Sequence, residues 1–184
     1  MSDQVQTKAK NDWLMFALNV LKEKGPEHIK IEPLCTLKGV TKGSFYHHFK
    51  SRAAFIDALM SFWYEKMTVD FIKQANTAST PLEKLEKLDS VILKNHFGAE
   101  THIRAWALKE PIIHDYLVKI DRERQAYLTE CYVEMGLSND TASDLALMAY
   151  ANFLGMQQIR PTPSIERVLR VTSMSSKLLL EKWV

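Results

Sequence analysis

The sequence predicts an all-α fold of about nine helices, a small N-terminal helical domain over residues 1–52 joined to a larger helical domain over residues 53–184. Three observations lead there. Glycines, prolines and short polar runs cut the chain into helix-length pieces, no alternating β-branched run is long enough for a strand, and apolar residues recur at helical spacing.

The first helix is expected over about Thr7–Lys24, with Trp13, Leu14, Ala17, Leu18, Val20 and Leu21 on its apolar stripe and Gly25-Pro26 as its stop. A short second helix covers about Glu32–Leu37, where Pro33 is tolerated because first-turn amides have no intrahelical partner. Lys38-Gly39-Val40-Thr41 reads as a tight turn, and Thr41 caps a third short helix, Lys42–Phe49. A long fourth helix, capped by Ser51, runs over about Arg52–Ala75 to the polar loop Asn76–Pro81. Further helices follow over about Leu82–His96, Thr101–Lys109 and Pro111–Met135. Ser138 or Asn139 caps the eighth, which reaches about Gln158, and Ser164–Trp183 forms the ninth. Asp121-Arg122-Glu123-Arg124 reads as a solvated helix face.

With 184 residues, 46% of them apolar, the chain can build a real core. Cys35 and Cys131 stand far apart with no CxxC pair, so they read as small buried hydrophobes, and neither a metal site nor a disulfide framework is expected. His96 and His102 lack an obvious third ligand. No segment has the length and apolarity of a membrane span or a signal peptide, which gives the expectation of a soluble, cytoplasmic protein without a cofactor. Charge is distributed unevenly: residues 1–52 carry nine Lys/Arg against five Asp/Glu, a net +4, whereas the remainder carries fifteen against seventeen, a net −2. A basic N-terminal unit on a mildly acidic body fits a nucleic-acid reader fused to something else.

Two short helices around a glycine-containing turn, the second basic and hydroxyl-rich, form a helix-turn-helix over Ile31–Phe49. Such a helix enters the major groove, so its leading residues must be small or carry donors for base edges and phosphates. Gly43 is costly inside a helix and is best explained by close approach to another surface. Phe45 and Phe49, four apart, face inward, leaving Lys42, Ser44, Tyr46, His47 and His48 on or beside the outer face.

The stretch from Gly39 to Arg52, GVTKGSFYHHFKSR, resembles the signature of the TetR family of regulators, and the resemblance extends over about Lys8–Leu59. It implies a dimeric regulator of transcription that binds palindromic operator DNA, most often a repressor released by a small-molecule effector. It also implies a DNA-binding set of Thr41, Lys42, Gly43, Ser44, Tyr46, His47, His48, Lys50 and Arg52. Lys42, Gly43 and Ser44 would approach bases, Tyr46 and His48 would hold phosphates, and Lys50 and Arg52 would add backbone contacts. Lys30 and Lys38 depart from the usual pattern, and Lys38 is a candidate for an extra phosphate contact.

For the remainder, the resemblance implies an effector-binding and dimerisation domain. The eighth and ninth segments are apolar on nearly every side, which predicts a four-helix interface between two copies. Its expected residues are Leu145, Met148, Ala149, Asn152, Gly155, Met156, Leu169, Thr172 and Leu179. Trp63, His96, His102, Trp106, Tyr116 and Tyr150, large groups with polar tips, are the candidates for touching an effector. The competing reading is an all-α ligand-binding or enzymatic module with a vestigial helix-turn-helix, although no catalytic motif supports it.

Overall fold

The structure, a computed structural model, describes residues 2–95, 98–161, 163, 164, 166–168, 170, 171 and 174. The described elements are α1 (Ser2–Lys24), α2 (Ile31–Lys38), α3 (Lys42–His48), α4 (Arg52–Tyr64), α5 (Asp70–Ala75), α6 (Pro81–Lys94), α7 (Gly98–Ala107), α8 (Pro111–Glu134) and α9 (Asn139–Met156). Most of the expected ninth helix lies outside the described residues, although residues 166–168, 170, 171 and 174 are helical. No helix among the described residues is long and apolar enough to cross a membrane. The chain divides into two compact units, Met1–Lys66 with Gly98–Val118, and Met67–Phe97 with Lys119–Val184.

In the first unit α1 packs on α4 and α7, and α2 on α3. The stripe of α1 is buried: Trp13, Leu14, Ala17, Leu18, Val20 and Leu21 all lie in the core. α4 adds Phe55, Ile56, Leu59, Met60 and Trp63, while Ile103 of α7 and Ile113 of α8 are also fully buried. Cys35 is buried beside Leu34 on α2. Phe45 of α3 has no exposed surface, and its ring lies 5.7 Å from that of Trp13, 5.2 Å from Phe49 and 5.1 Å from Phe55. The edge-to-face geometry of the Trp13 and Phe55 contacts is the favoured one for aromatic pairs.

The second unit is built on α5, α6, α9 and the later turns of α8. Ala75, Tyr127 and Cys131 form one buried cluster with Ile72, Leu85 and Leu88 against it. Tyr132, Leu137, Ala142, Leu145 and Ala146 form another, again touched by Leu85. Thr80 starts α6 with a capping box: its hydroxyl accepts from the Glu83 amide while the Glu83 carboxylate accepts from the Thr80 amide.

Two expectations are corrected here. The fourth helix does not run unbroken to Ala75, because Glu65–Val69 forms a π-helical turn between α4 and α5. Arg124 stabilises that irregular stretch, donating through Nη2 to the Met67 carbonyl at 3.2 Å and through Nε to the Thr68 hydroxyl at 3.0 Å. Asp121 and Arg124 therefore do not belong to a solvated face. Both are half-buried, Tyr150 donates to Asp121 at 2.7 Å, and Arg124 reaches the Tyr150 hydroxyl at 3.4 Å.

Asp89 is half-buried on α6, one turn beyond Leu85, and burial followed by the charge of Glu86 pushes its carboxyl up to about 6. The same burial, with Asp89 nearby, pushes the Tyr132 phenol up to about 12.

Two stability measurements check this packing. Phe45→Ala is expected to cost about 3 to 5 kcal/mol, read as a lowered denaturation midpoint, because a fully buried ring leaves a cavity. For Asp89 the folded carboxyl binds its proton more tightly than the unfolded one, so its contribution is greatest in acid and is lost as pH rises from about 4 through about 6. Asp89→Asn is then expected to stabilise the protein at pH 8 by up to about 3 kcal/mol and to do so far less at pH 4, as denaturation midpoints at the two pH values would show.

Candidate nucleic-acid interface

The turn before α3 is closed by Gly39, which adopts the left-handed conformation at φ 69° and donates its amide to the α2 C-terminus. Val40 donates to the Cys35 carbonyl at 3.0 Å. Thr41 then caps α3 with extended backbone, its hydroxyl accepting from the Ser44 amide at 3.4 Å. With Phe45 and Phe49 buried, the opposite side of α3 faces solvent: Thr41, Lys42, Gly43, Tyr46 and His47 are exposed and Ser44 is half-buried. The Tyr46 side chain is 51% exposed, although its ring meets the Phe45 ring edge-on at 5.6 Å. A Cβ on Gly43 would meet only the Thr41 hydroxyl, at 3.5 Å, so nothing within the protein demands glycine there.

His48 is half-buried at the end of α3, and its Nδ1 is sealed from solvent without a hydrogen-bond partner among the described residues. Burial, then the charges of His47, Lys10 and Lys38, push the imidazole below its ordinary value. It is thus neutral at neutral pH, leaving Nε2 as the atom that can serve a partner. The surrounding cations are held on aromatic faces. Lys10 lies 5.7 Å from the Phe49 ring centre, and Lys38 lies 5.1 Å from Trp13 and 4.7 Å from Phe16. Packing on these rings gives Lys38 a role inside the protein, one the sequence did not indicate.

Lys50 and Ser51 are exposed, and the Ser51 hydroxyl caps α4 by accepting from the Ala54 amide at 3.1 Å. Lys42 pairs with Glu32 at 3.4 Å, both side chains being more than half exposed, so this pair contributes little stability. Arg52 donates through Nη2 to Glu110 at 2.7 Å. On the same helix, Asp57 accepts from the Tyr116 hydroxyl at 2.8 Å; burial, then this hydrogen bond, pushes that phenol up to about 12.

Of the residues expected at an effector, four lie in the first unit and one in the second. Trp63 and Trp106 are buried and His102 half-buried in the first unit, where Tyr116 is tied to Asp57. Tyr150 is in the second unit and its hydroxyl is bound to Asp121; His96 lies outside the described residues. Of the expected dimer residues, Leu145 is buried in its own subunit's core, whereas Met148 is 54% exposed. Ala149, Asn152 and Met156 are half-buried, Gly155 is exposed with open space where a Cβ would stand, and Leu169, Thr172 and Leu179 lie outside the described residues. Leu147, 55% exposed beside Met148, extends the same apolar surface and was not anticipated. Glu110, Asp57 and the Arg124 network were also missed, because each acts through a partner more than 25 residues away that no local pattern marks.

Residues 15–59 match the family described as bacterial regulatory proteins, tetR family. A transcriptional repressor of Mycolicibacterium smegmatis, KstR2, is 25% identical over 79 residues, 43% of this chain and 38% of its own length. The transcriptional regulator CymR of Pseudomonas putida is 25% identical over 156 residues, covering 76% of this chain and 73% of the relative. The chain thus spans well under half of the first of these relatives and nearly three quarters of the second. Among solved structures, a TetR-family transcriptional regulator from a Rhodococcus species superposes with a TM-score of 0.78 at 15% identity, covering 94% of this chain and 98% of that one. Residues 15–59 thus carry the sequence pattern of that family, and the described helices share the fold of solved TetR-family regulators.

Proposed function

We propose that the chain is a DNA-binding transcriptional regulator, a repressor that holds a palindromic operator as a homodimer and releases it when a small-molecule effector binds. The observation that carries this reading is the two-sidedness of α3, which buries Phe45 and Phe49 and turns Lys42, Gly43, Tyr46 and His47 to solvent. A helix anchored by aromatic rings on one side and bearing donors and a glycine on the other is shaped for the major groove. In this reading residues 1–52 meet DNA. Thr41, Lys42, Gly43 and Ser44 approach bases, Tyr46, His47 and His48 reach phosphates, and Lys50 and Arg52 lie along the backbone. His48, neutral and with Nδ1 sealed, meets a phosphate through Nε2 in this reading, donating a hydrogen bond and adding no charge.

Residues 53–184 bind the effector and pair the subunits, and the site of action is the cytoplasm. Pairing through α9 is favoured by the exposed Leu147, Met148 and Gly155 on one surface, where a glycine lets two backbones approach. The names of the relatives, a repressor and a regulator of transcription, agree with the regulatory role.

Titration of duplex DNA at graded salt tests the proposal. For a dimer making three to four phosphate contacts per subunit, log K is expected to fall with log salt at a slope of about −6. Tyr46→Ala should weaken binding at every salt concentration while keeping the denaturation midpoint within about 1 kcal/mol of the parent, since the phenol is half exposed. A slope near zero, or a Tyr46→Ala protein that binds as the parent does, would contradict the reading.

A further inference from the structure

Arg52 is the first residue of α4, four residues past the end of α3, and its side chain is 46% exposed. Its guanidinium is nevertheless occupied. Nη2 donates to Oε2 of Glu110 at 2.7 Å, the shortest distance expected of a charge-assisted bond, through one contact and not through the two-pronged fork that arginine offers a carboxylate. Glu110 is the more sheltered partner, 24% exposed, and its position is fixed by its backbone. Its amide donates to the Trp106 carbonyl, and its own carbonyl accepts from Ile113 and His114 in the first turn of α8. The carboxylate therefore sits at the positive end of α8, where the helix favours a negative charge. A second tie lies further along the same two helices, where Tyr116 of α8 bonds Asp57 and also Ser61 of α4.

The Asp57–Tyr116 bond also fastens α4 to α8, and a half-exposed single-contact ion pair adds little stability to that tie. What the pair changes is charge. It neutralises an arginine beside the recognition helix and places a carboxylate where a phosphate would come. We propose that Arg52–Glu110 is an autoinhibitory contact: Glu110 occupies a guanidinium that duplex phosphates would otherwise take, and so weakens the protein's hold on DNA. The inference rests on the DNA-binding reading above. Arginine binds phosphate through the same donors it gives a carboxylate, so the two compete for one group. Any movement of Glu110 away from Arg52 raises affinity, and any tightening of the pair lowers it.

The test measures binding of the full chain to mixed-sequence duplex DNA at graded salt, comparing the parent with Glu110→Gln, Arg52→Gln and the double variant. Glu110→Ser, which supplies a helix-capping oxygen, is a second route to the same loss of charge, and thermal midpoints identify which variants are folded. Removing the carboxylate is expected to tighten binding about two- to tenfold and to make the slope of log K against log salt more negative by about 2 for a dimer, as one phosphate contact per subunit is gained. The gain should vanish in the double variant, because Arg52 is the group released. Unchanged or weaker binding at unchanged slope by a folded Glu110 variant would overturn the inference and leave the pair as a structural tie. A gain that survives in the double variant would overturn it too, showing only the loss of a negative charge. A parent protein with no salt-sensitive duplex binding would overturn the DNA reading itself, and the inference with it.

Discussion

The burial of one phenylalanine ring governs the presentation of the recognition helix. α3 has seven residues, too few to persist as an isolated helix in water. Its conformation comes from Thr41 at its start and from Phe45, whose ring is enclosed by Trp13, Phe49 and Phe55. These contacts fix the helix's rotation about its own axis, and rotation decides which residues face outward. Tyr46 lies one residue along and is half exposed; Gly43 lies two back and is exposed. A ring displaced from that pocket would turn the outer face without altering a residue on it.

Around this helix the cations are restrained. Lys38 and Lys10 rest on aromatic rings, Lys42 leans on Glu32, and Arg52 is bound to Glu110. These restraints differ in geometry: the lysines lie 4.7–5.7 Å from ring centres or 3.4 Å from an exposed glutamate, whereas the Arg52–Glu110 contact is 2.7 Å and its acceptor is sheltered. Binding to a polyanion means exchanging each restraint for a phosphate, so affinity depends on how firmly each cation is already held. The neutral state of His48 follows first from its burial and then from the same crowding of positive charge.

What the sequence makes legible here is local. The α1 stripe, the Gly39 turn, the Thr41 cap and the inward pair Phe45 and Phe49 all follow from spacing within one or two turns, and all are present in the structure. Features that depend on distant partners were not legible. The π-helical turn at Glu65–Val69 is supported from Arg124, more than fifty residues on, and a run of four charged residues looks the same in sequence whether its side chains are solvated or bound. Leu145 and Met148 share an apolar helix pattern, yet one fills its own core and the other faces solvent, because which flank of α9 meets α8 is set by packing.

The central claim is that paired copies of α3 read DNA. Selection of bound duplexes from a random pool by the purified full chain tests it most directly, since it presupposes neither an operator nor an effector. The account predicts enrichment of an inverted repeat whose half-sites lie about one helical turn, or a small multiple of it, apart, with enrichment lost when Tyr46 is replaced by alanine. A pool that emerges without a common motif, or with one that Tyr46→Ala enriches equally well, would contradict it.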